Sequence, residues 1–212
     1  MTHIDYTLYL VTDRSVMSAK SLEQAVEQAI QGGCTVVQLR EKYASSREFF
    51  ETAQRVKQIT DSYHIPLIIN DRTDICLAVN AAGIHIGQQD LPAKIVRSMV
   101  GPDKIIGVSA ATLSEAIQAE QDGADYLGVG AMFATSTKKN TRPVTIERLT
   151  QIKQAVQIPV VAIGGIQSSN VTTLTDTGID GIAVVSAILA QENITHAAEQ
   201  LKACFTGAGH EV

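Results

Sequence analysis

Aromatic residues are scarce in this 212-residue chain: 4% of positions, with no Trp. A core without many large rings must be filled by smaller and branched side chains, and Ala, Val and Ile are plentiful. That composition suits helices alternating with buried parallel strands. Positive charge is not in excess either. Seventeen Lys and Arg against 22 Asp and Glu leave a formal net charge of −5, which argues against broad attraction to nucleic acid or acidic membranes. Any anionic ligand must therefore meet a local basic cluster. Cysteine is limited to Cys34, Cys76 and Cys204, far apart and odd in number. With no CxxC and no His/Cys ligand spacing, reduced and mostly buried thiols are expected. No apolar run is long enough to span a bilayer, and Met1-Thr2-His3-Ile4-Asp5 lacks a basic region followed by an apolar core. The expectation is a cytoplasmic protein with no membrane or nucleic-acid partner.

What is present is one sizeable core, 45% hydrophobic, in which two full domains would be cramped. Short apolar runs recur at intervals of roughly one βα unit. They are Thr7–Thr12, Cys34–Leu39, Pro66–Asn70, Gly83–Gly87, Ile105–Ser109, Asp125–Gly130, Pro159–Gly164 and Asp180–Ser186. Most are rich in Val, Ile and Leu, as parallel strands covered on both faces are. Helical patterns lie between them. Leu22, Ala25, Val26, Ala29 and Ile30 share one helix face, and Gly32-Gly33 ends it. Ser21 with Gln24, Ser45 with Glu48 and Thr112 with Glu115 fit capping boxes. Phe49, Ala53, Val56 and Ile59 make one helical stripe, and Ile146, Leu149, Ile152 and Val156 another; Gly123 stops the helix after Thr112. Eight alternations without a long linker predict a single (β/α)8 barrel domain over residues 1–212, with about 206–212 as a flexible tail. The competitor is an open doubly wound sheet, and the lack of a GxGxxG after the first strand weighs against it.

Active sites in such barrels sit where strands run into the following loops. The second strand ends Gln38-Leu39-Arg40-Glu41-Lys42, and alternation lets Gln38, Arg40 and Lys42 share a face. Two cations and an amide there suit a diphosphate; the plainer alternative is an ion pair with Glu41 or another carboxylate. The third strand ends Asn70-Asp71-Arg72 and the fourth is followed by Gln88-Gln89-Asp90. If these strands are neighbours, Asp71 and Asp90 face each other across a small gap. Two carboxylates without a third protein ligand suit Mg2+, which keeps waters and binds phosphate oxygens. The alternative is that each caps the next helix.

Ser109 ends the fifth strand, as a ligand group or as a turn residue. Thr135-Ser136-Thr137-Lys138-Lys139-Asn140 after the sixth strand suits phosphate oxygens and a lid, or is a solvated loop. Gly164-Gly165 after the seventh strand and Val185-Ser186 after the eighth fall where barrels often bind phosphate through backbone N–H groups and a helix N-terminus. His85 reads as a satisfied interior histidine, and Asp13-Arg14 as a local ion pair.

Taken together these motifs resemble the thiamine phosphate synthase family. The resemblance runs from Leu8-Tyr9-Leu10-Val11-Thr12-Asp13 to Val184-Val185-Ser186-Ala187-Ile188. Its most specific pieces are Gln38-Leu39-Arg40-Glu41-Lys42, Ile69-Asn70-Asp71-Arg72, His85-Ile86-Gly87-Gln88-Gln89-Asp90, Thr135-Ser136-Thr137-Lys138 and Ile163-Gly164-Gly165-Ile166. Membership implies a pyrophosphate-releasing transferase of thiamine biosynthesis, with one Mg2+ per subunit. Gln38, Leu39, Arg40, Glu41, Lys42, Asn70, Ser109 and Lys138 would hold a pyrimidine diphosphate. Arg40, Lys42, Ser109 and Lys138 would serve the chemistry, and Asp71 and Asp90 the metal. Thr135, Ser136, Thr137, Gly165, Val185 and Ser186 would hold a thiazole phosphate.

The chemistry of the residues agrees with that reaction. A departing polyanion needs cations where charge grows, and an aromatic nitrogen nucleophile needs no general base. No Ser/His/Asp or Cys/His set is evident. Two departures from the family stand out: Ala134 where many members carry Pro, and Ala111 where many carry His. Thiazole tautomerases resemble this barrel, use a histidine near position 111 and lack the full carboxylate pair. An epimerase would want a proton-transfer pair or a His/Asp metal set inside the barrel. A non-catalytic binder of thiamine precursors would keep the glycines and lose the carboxylates. Small-molecule substrates are the expected partners; the sequence leaves a homo-oligomer open.

Overall fold

The computed structural model describes residues 4–135 and 142–208. Eight parallel strands close in sequential order, the last pairing back onto the first. They are β1 (Leu8–Val11), β2 (Val36–Leu39), β3 (Leu67–Asn70), β4 (Gly83–Ile86), β5 (Ile105–Ala110), β6 (Tyr126–Val129), β7 (Val160–Ile163) and β8 (Gly181–Val184). All the expected strands are present. Seven are one or two residues shorter at an end, and β5 is one longer, because the ladder stops where chain turns begin. The connections carry α1 (Leu22–Gln31), α2 (Ser46–Ser62), α3 (Thr73–Ala78), α4 (Ala93–Val100), α5 (Leu113–Gln121) and α6 (Ile146–Ala155). A 3-10 helix, Val171–Thr177, joins β7 to β8, and α7 (Ser186–Leu189) and α8 (Ile194–Thr206) follow β8. This is the closed (β/α)8 barrel that the alternation predicts.

Local chemistry starts the helices. At α2 the Glu48 N–H donates to Ser45 Oγ at 3.3 Å, and the Ser45 N–H donates back to Glu48 Oε2 at 2.8 Å. The other two expected boxes are half formed. Ser21 accepts from the Gln24 N–H and Thr112 from the Glu115 N–H. The Glu115 carboxylate, however, accepts from the Ala111 N–H and from Arg142. A carboxylate with a guanidinium in reach forms the stronger charge-assisted bonds there.

Alternation along the strands divides the apolar residues into two cores. Leu8, Leu10, Val37, Leu39, Ile69 and Ile84 face the helices, packing against α-helical residues such as Leu22, Val26, Phe49 and Val56. Tyr9, Val11, Val36, Ile68, Tyr126, Val161 and Ala183 fill the barrel interior. The polar residues Gln38, Asn70 and His85 are buried too. Because Val36 and Gln38, and Ile68 and Asn70, are two apart on their strands, the polar members stand nearer the C-terminal ends, above the apolar plug. At the opposite rim, Arg97 is a structural clamp: it donates to the carbonyls of Gly101, Lys104 and Gly123 and to Asp125. Cys34 and Cys76 are buried free thiols, and burial pushes them up to about 12 and about 11; they are protonated and inert. Among the described residues no helix is long and apolar enough to cross a membrane.

Candidate active site at the strand C-termini

The end of β2 supplies the charged residues, but not as unpaired cations. Gln38 is 4% exposed and points into the barrel, where its Nε2 donates to Tyr9 OH at 2.9 Å. Arg40 NH1 donates to Asp13 Oδ2 at 2.7 Å, and the Arg40 N–H donates to Thr12 Oγ1. Glu41 takes the Arg14 guanidinium at 2.6 Å, and Lys42 pairs with Asp71. Hence the two cations are held by carboxylates from different flanking strands. The expected local Asp13–Arg14 pair is replaced by two crossed pairs. The reason is register: Val11 lies beside Gln38, so the residues two further on, Asp13 and Arg40, are also neighbours, and alternation turns Glu41 the other way. Leu39 is fully buried between barrel and helices, so only its backbone is available to a ligand.

Asn70 ends β3 beside His85 of β4. Its amide makes no side-chain hydrogen bond among the described residues. Asp71 then turns into the left-handed region, at φ +62°, with its N–H on the His85 carbonyl at 2.8 Å. Asp is among the few non-glycine types that tolerate this conformation. Neither Asp71 nor Asp90 caps a helix: the caps are Arg72 and Pro92, without side-chain capping bonds. Asp90 Oδ2 instead accepts from the Gly87 N–H at 2.6 Å, aiming the carboxyl back toward β4. Although Asp90 is exposed at the rim, desolvation of its inward carboxyl, followed by the charge of Asp71, holds it above the usual carboxylate range. The Gly87 N–H and, more weakly, the Lys42 charge offset this only in part. Two facing carboxylates, only one of them paired with a lysine, make a donor set that a hard divalent cation fits. Among the described residues there is no cluster of three or more His, Cys, Asp or Glu, so such an ion would keep waters or take ligand oxygens.

Ser109, half-buried on β5, has its Oγ 2.9 Å from His85 Nε2. His85 is satisfied on both nitrogens, with Tyr126 OH 2.9 Å from Nδ1. The interior-histidine reading therefore holds, and it reaches a candidate site residue. Sequence reasoning missed the rest of this connection, and the signal was there: Tyr9 and Tyr126 are polar-tipped residues at inward positions of their strands.

The loops after β6 and β7 are joined. The Met132 N–H donates to the Ile163 carbonyl at 3.0 Å and the Phe133 N–H to the Gly164 carbonyl at 2.9 Å. Gly165 has φ +66°, and a Cβ there would lie 2.5 Å from the Ala134 carbonyl oxygen. Only glycine allows that approach, which brings Gly165 beside Phe133 and Ala134. Asn170 fixes the turn by donating to the Gly165 carbonyl at 3.0 Å. Val185 is the N-terminal cap of α7, which begins at Ser186. The loop returns at Arg142, whose carbonyl accepts from the Ala131 N–H and whose guanidinium grips Glu115 through two bonds. Ser136, Thr137, Lys138, Lys139 and Asn140 lie outside the described residues.

A closed parallel barrel with paired cations, facing carboxylates and a glycine turn gathered at its strand C-termini is the architecture of a small-molecule barrel enzyme. The comparisons narrow that class. The sequence model of the thiamine monophosphate synthase family matches residues 8–188. A thiamine-phosphate synthase of Ruminiclostridium cellulolyticum is 61% identical over 202 residues, covering 95% of this chain and 96% of that protein. One of Clostridium tetani is 59% identical over 203 residues, covering 96% and 97%. Among solved structures, the thiamine phosphate pyrophosphorylase of Pyrococcus furiosus superposes with a TM-score of 0.89 at 38% identity, over 97% of this chain and 98% of that one. The chain belongs to the thiamine monophosphate synthase family.

Proposed function

We propose that the chain is a thiamine-phosphate synthase. It joins 4-amino-2-methyl-5-(diphosphooxymethyl)pyrimidine to 4-methyl-5-(2-phosphooxyethyl)thiazole, or to its carboxylated form with loss of CO2, and releases pyrophosphate. The observation that carries this reading is the set at the ends of β2, β3 and β4: Arg40 and Lys42 on carboxylate partners, with Asp71 facing Asp90. It is a polyanion site that keeps its charges balanced until a polyanion arrives.

The reaction breaks the C–O bond between the methylene carbon and the diphosphate, whose oxygen keeps the electron pair. The thiazole nitrogen then forms the new C–N bond with its own lone pair, so no base need act on it. Lys42 exchanges Asp71 for diphosphate oxygens, and Arg40, steadied by Asp13, meets the charge that grows as the bond breaks. Gln38, Asn70 and Ser109 orient the aminopyrimidine so that its ring spreads the positive charge left on the methylene. Leu39 and Glu41 contribute by shaping the same segment. Asp71 and Asp90 would hold Mg2+, which when bound supplies positive charge beside the departing pyrophosphate. Thr135, Gly165, Val185 and Ser186 are assigned to the thiazole phosphate, with Ser136 and Thr137 completing that set and Lys138 completing the diphosphate set. Ala111 offers no imidazole where thiazole tautomerases carry one.

The test is pyrophosphate release with Mg2+ and the two substrates, singly and together. Release is expected only with the pair, and no release from the pair refutes the reading.

A further inference from the structure

Beneath the strand-end residues, the barrel interior carries a continuous run of polar side chains whose middle members, Tyr9, Tyr126 and His85, the reaction above leaves unused. Gln38 Nε2 donates to Tyr9 OH at 2.9 Å. The Tyr9 and Tyr126 hydroxyls are 2.7 Å apart. Tyr126 OH lies 2.9 Å from His85 Nδ1, and His85 Nε2 lies 2.9 Å from Ser109 Oγ. The run thus crosses the barrel from β2 through β1, β6 and β4 to β5, and both ends are residues assigned to the pyrimidine.

Two glycines make room for it. A Cβ on Gly107 would lie 2.1 Å from Tyr126 Cζ, and one on Gly128 would lie 3.0 Å from His85 Cε1. Gly107 is the register neighbour of both Tyr126 and His85, so the barrel is shaped around the pair.

Proton counting gives the run a direction. Tyr9 is 1% exposed; its oxygen accepts from Gln38, and the acceptor for its own proton among the described residues is the Tyr126 oxygen. Tyr126 then donates to His85 Nδ1. That leaves a neutral imidazole with its proton on Nε2, donated to Ser109 Oγ, and it frees the Ser109 proton for the barrel mouth. With Gln38 donating, the reverse order would strand the buried Tyr9 proton, a loss of about 1–3 kcal/mol. At the other end, a Gln38 amide that donates to Tyr9 keeps its Oε1 as an acceptor.

We propose that His85, fixed in its Nε2–H form by Tyr126 and Tyr9, is a positioning residue that makes Ser109 a donor toward the substrate ring while Gln38 stays an acceptor. The proposal rests on the synthase reading for its substrate. An aminopyrimidine matches it: its amino group donates and its ring nitrogens accept. A ring carrying oxygen in place of the amino group sets an acceptor against the Gln38 acceptor. Sites built to hydrogen-bond one such pattern reject the other strongly, because buried polar groups are left unpaired. The run is therefore a specificity device for amino over oxo pyrimidines, set from inside the barrel by residues that touch no substrate.

Two measurements test it. Nitrogen-15 NMR of histidine-labelled protein, without substrates, reads the His85 tautomer. A neutral ring protonated on Nε2 is expected; a proton on Nδ1, or on both nitrogens, overturns the proposal. This arm stands even if the parent releases no pyrophosphate, an outcome that would sink only the synthase reading. The second arm compares kcat/KM for the amino substrate and its oxo analogue in the parent and in Tyr126→Phe. The preference is expected to fall by about tenfold or more, mostly through KM for the pyrimidine, with KM for the thiazole phosphate unchanged. An unchanged preference, or an equal loss for both substrates, overturns it. Tyr9→Phe breaks the same run one link earlier and serves if Tyr126→Phe does not fold; if neither folds, the tautomer of the parent decides.

Discussion

Gly107→Ala is a direct perturbation of the polar run on the barrel's interior wall. The new Cβ would lie 2.1 Å from Cζ, 2.3 Å from the hydroxyl oxygen and 2.4 Å from Cε1 of Tyr126. Carbon atoms pack best at about 3.5–4.0 Å, so the ring has to move by more than about 1 Å. Tyr126 is 1% exposed, so its ring can move only against close-packed neighbours. Overpacking of this kind costs about 1–3 kcal/mol. The same shift pulls the Tyr126 hydroxyl away from Tyr9 and His85, at 2.7 Å and 2.9 Å, and leaving buried polar groups unpaired costs about 1–3 kcal/mol more. The stiffer unfolded chain returns about 0.4–1 kcal/mol. A net loss of about 3 kcal/mol follows. With a urea slope of about 2–3 kcal/mol/M, the midpoint followed by far-ultraviolet circular dichroism falls by about 1–1.5 M. In a Tyr126→Ala background the ring is gone, and the penalty should nearly vanish. A midpoint within about 0.3 M of the parent, or the same penalty in both backgrounds, refutes the packing argument.

Three further outcomes are expected. Asp90→Asn keeps an acceptor for the Gly87 N–H but removes one of the two facing charges; the Mg2+ concentration for half-maximal pyrophosphate release should rise about 10-fold or more, and an unchanged requirement removes Asp90 from the metal set. Gly165→Ala sets a side chain at φ +66° and 2.5 Å from the Ala134 carbonyl, so KM for the thiazole phosphate should rise about tenfold while KM for the pyrimidine stays put; equal changes in both would argue against that assignment. Burial works against the ionised Glu115, but the Arg142 and backbone hydrogen bonds outweigh it and lower its carboxyl. A lowered folded value gives stability that is present above the unfolded range and is lost as pH falls through the folded one. Glu115→Gln should therefore cost about 0.5–1 kcal/mol near pH 7, allowing for solvent screening. Acid titration of the two melting curves should bring them together below the ordinary carboxylate range, and a gap that persists there refutes the ionic origin.

The strand alternation and the place of the candidate site residues at the strand ends could be read from the chain because they are local. A run such as Pro66–Asn70 reports its own burial, and a residue at its end reports its own place at the rim. The Ser45–Glu48 box is local in the same way, and it formed in full. What failed were statements about which side chain meets which. Asp13 and Arg14 are adjacent, yet each pairs with a residue just past the end of β2, 27 positions away. Glu115 is placed to cap its own helix and instead holds Arg142.

By itself, the sequence determined the barrel and the location of its polar rim, since period and strand-end composition are properties of single segments. Only the tertiary structure decided the partners. Closing β1 against β8 sets the register around the whole ring, and that register brings Gln38, Tyr9, Tyr126, His85 and Ser109 into one hydrogen-bonded run. Those five residues come from five strands. No spacing along the chain encodes their contact, because it depends on which inward positions share a level once the barrel is closed.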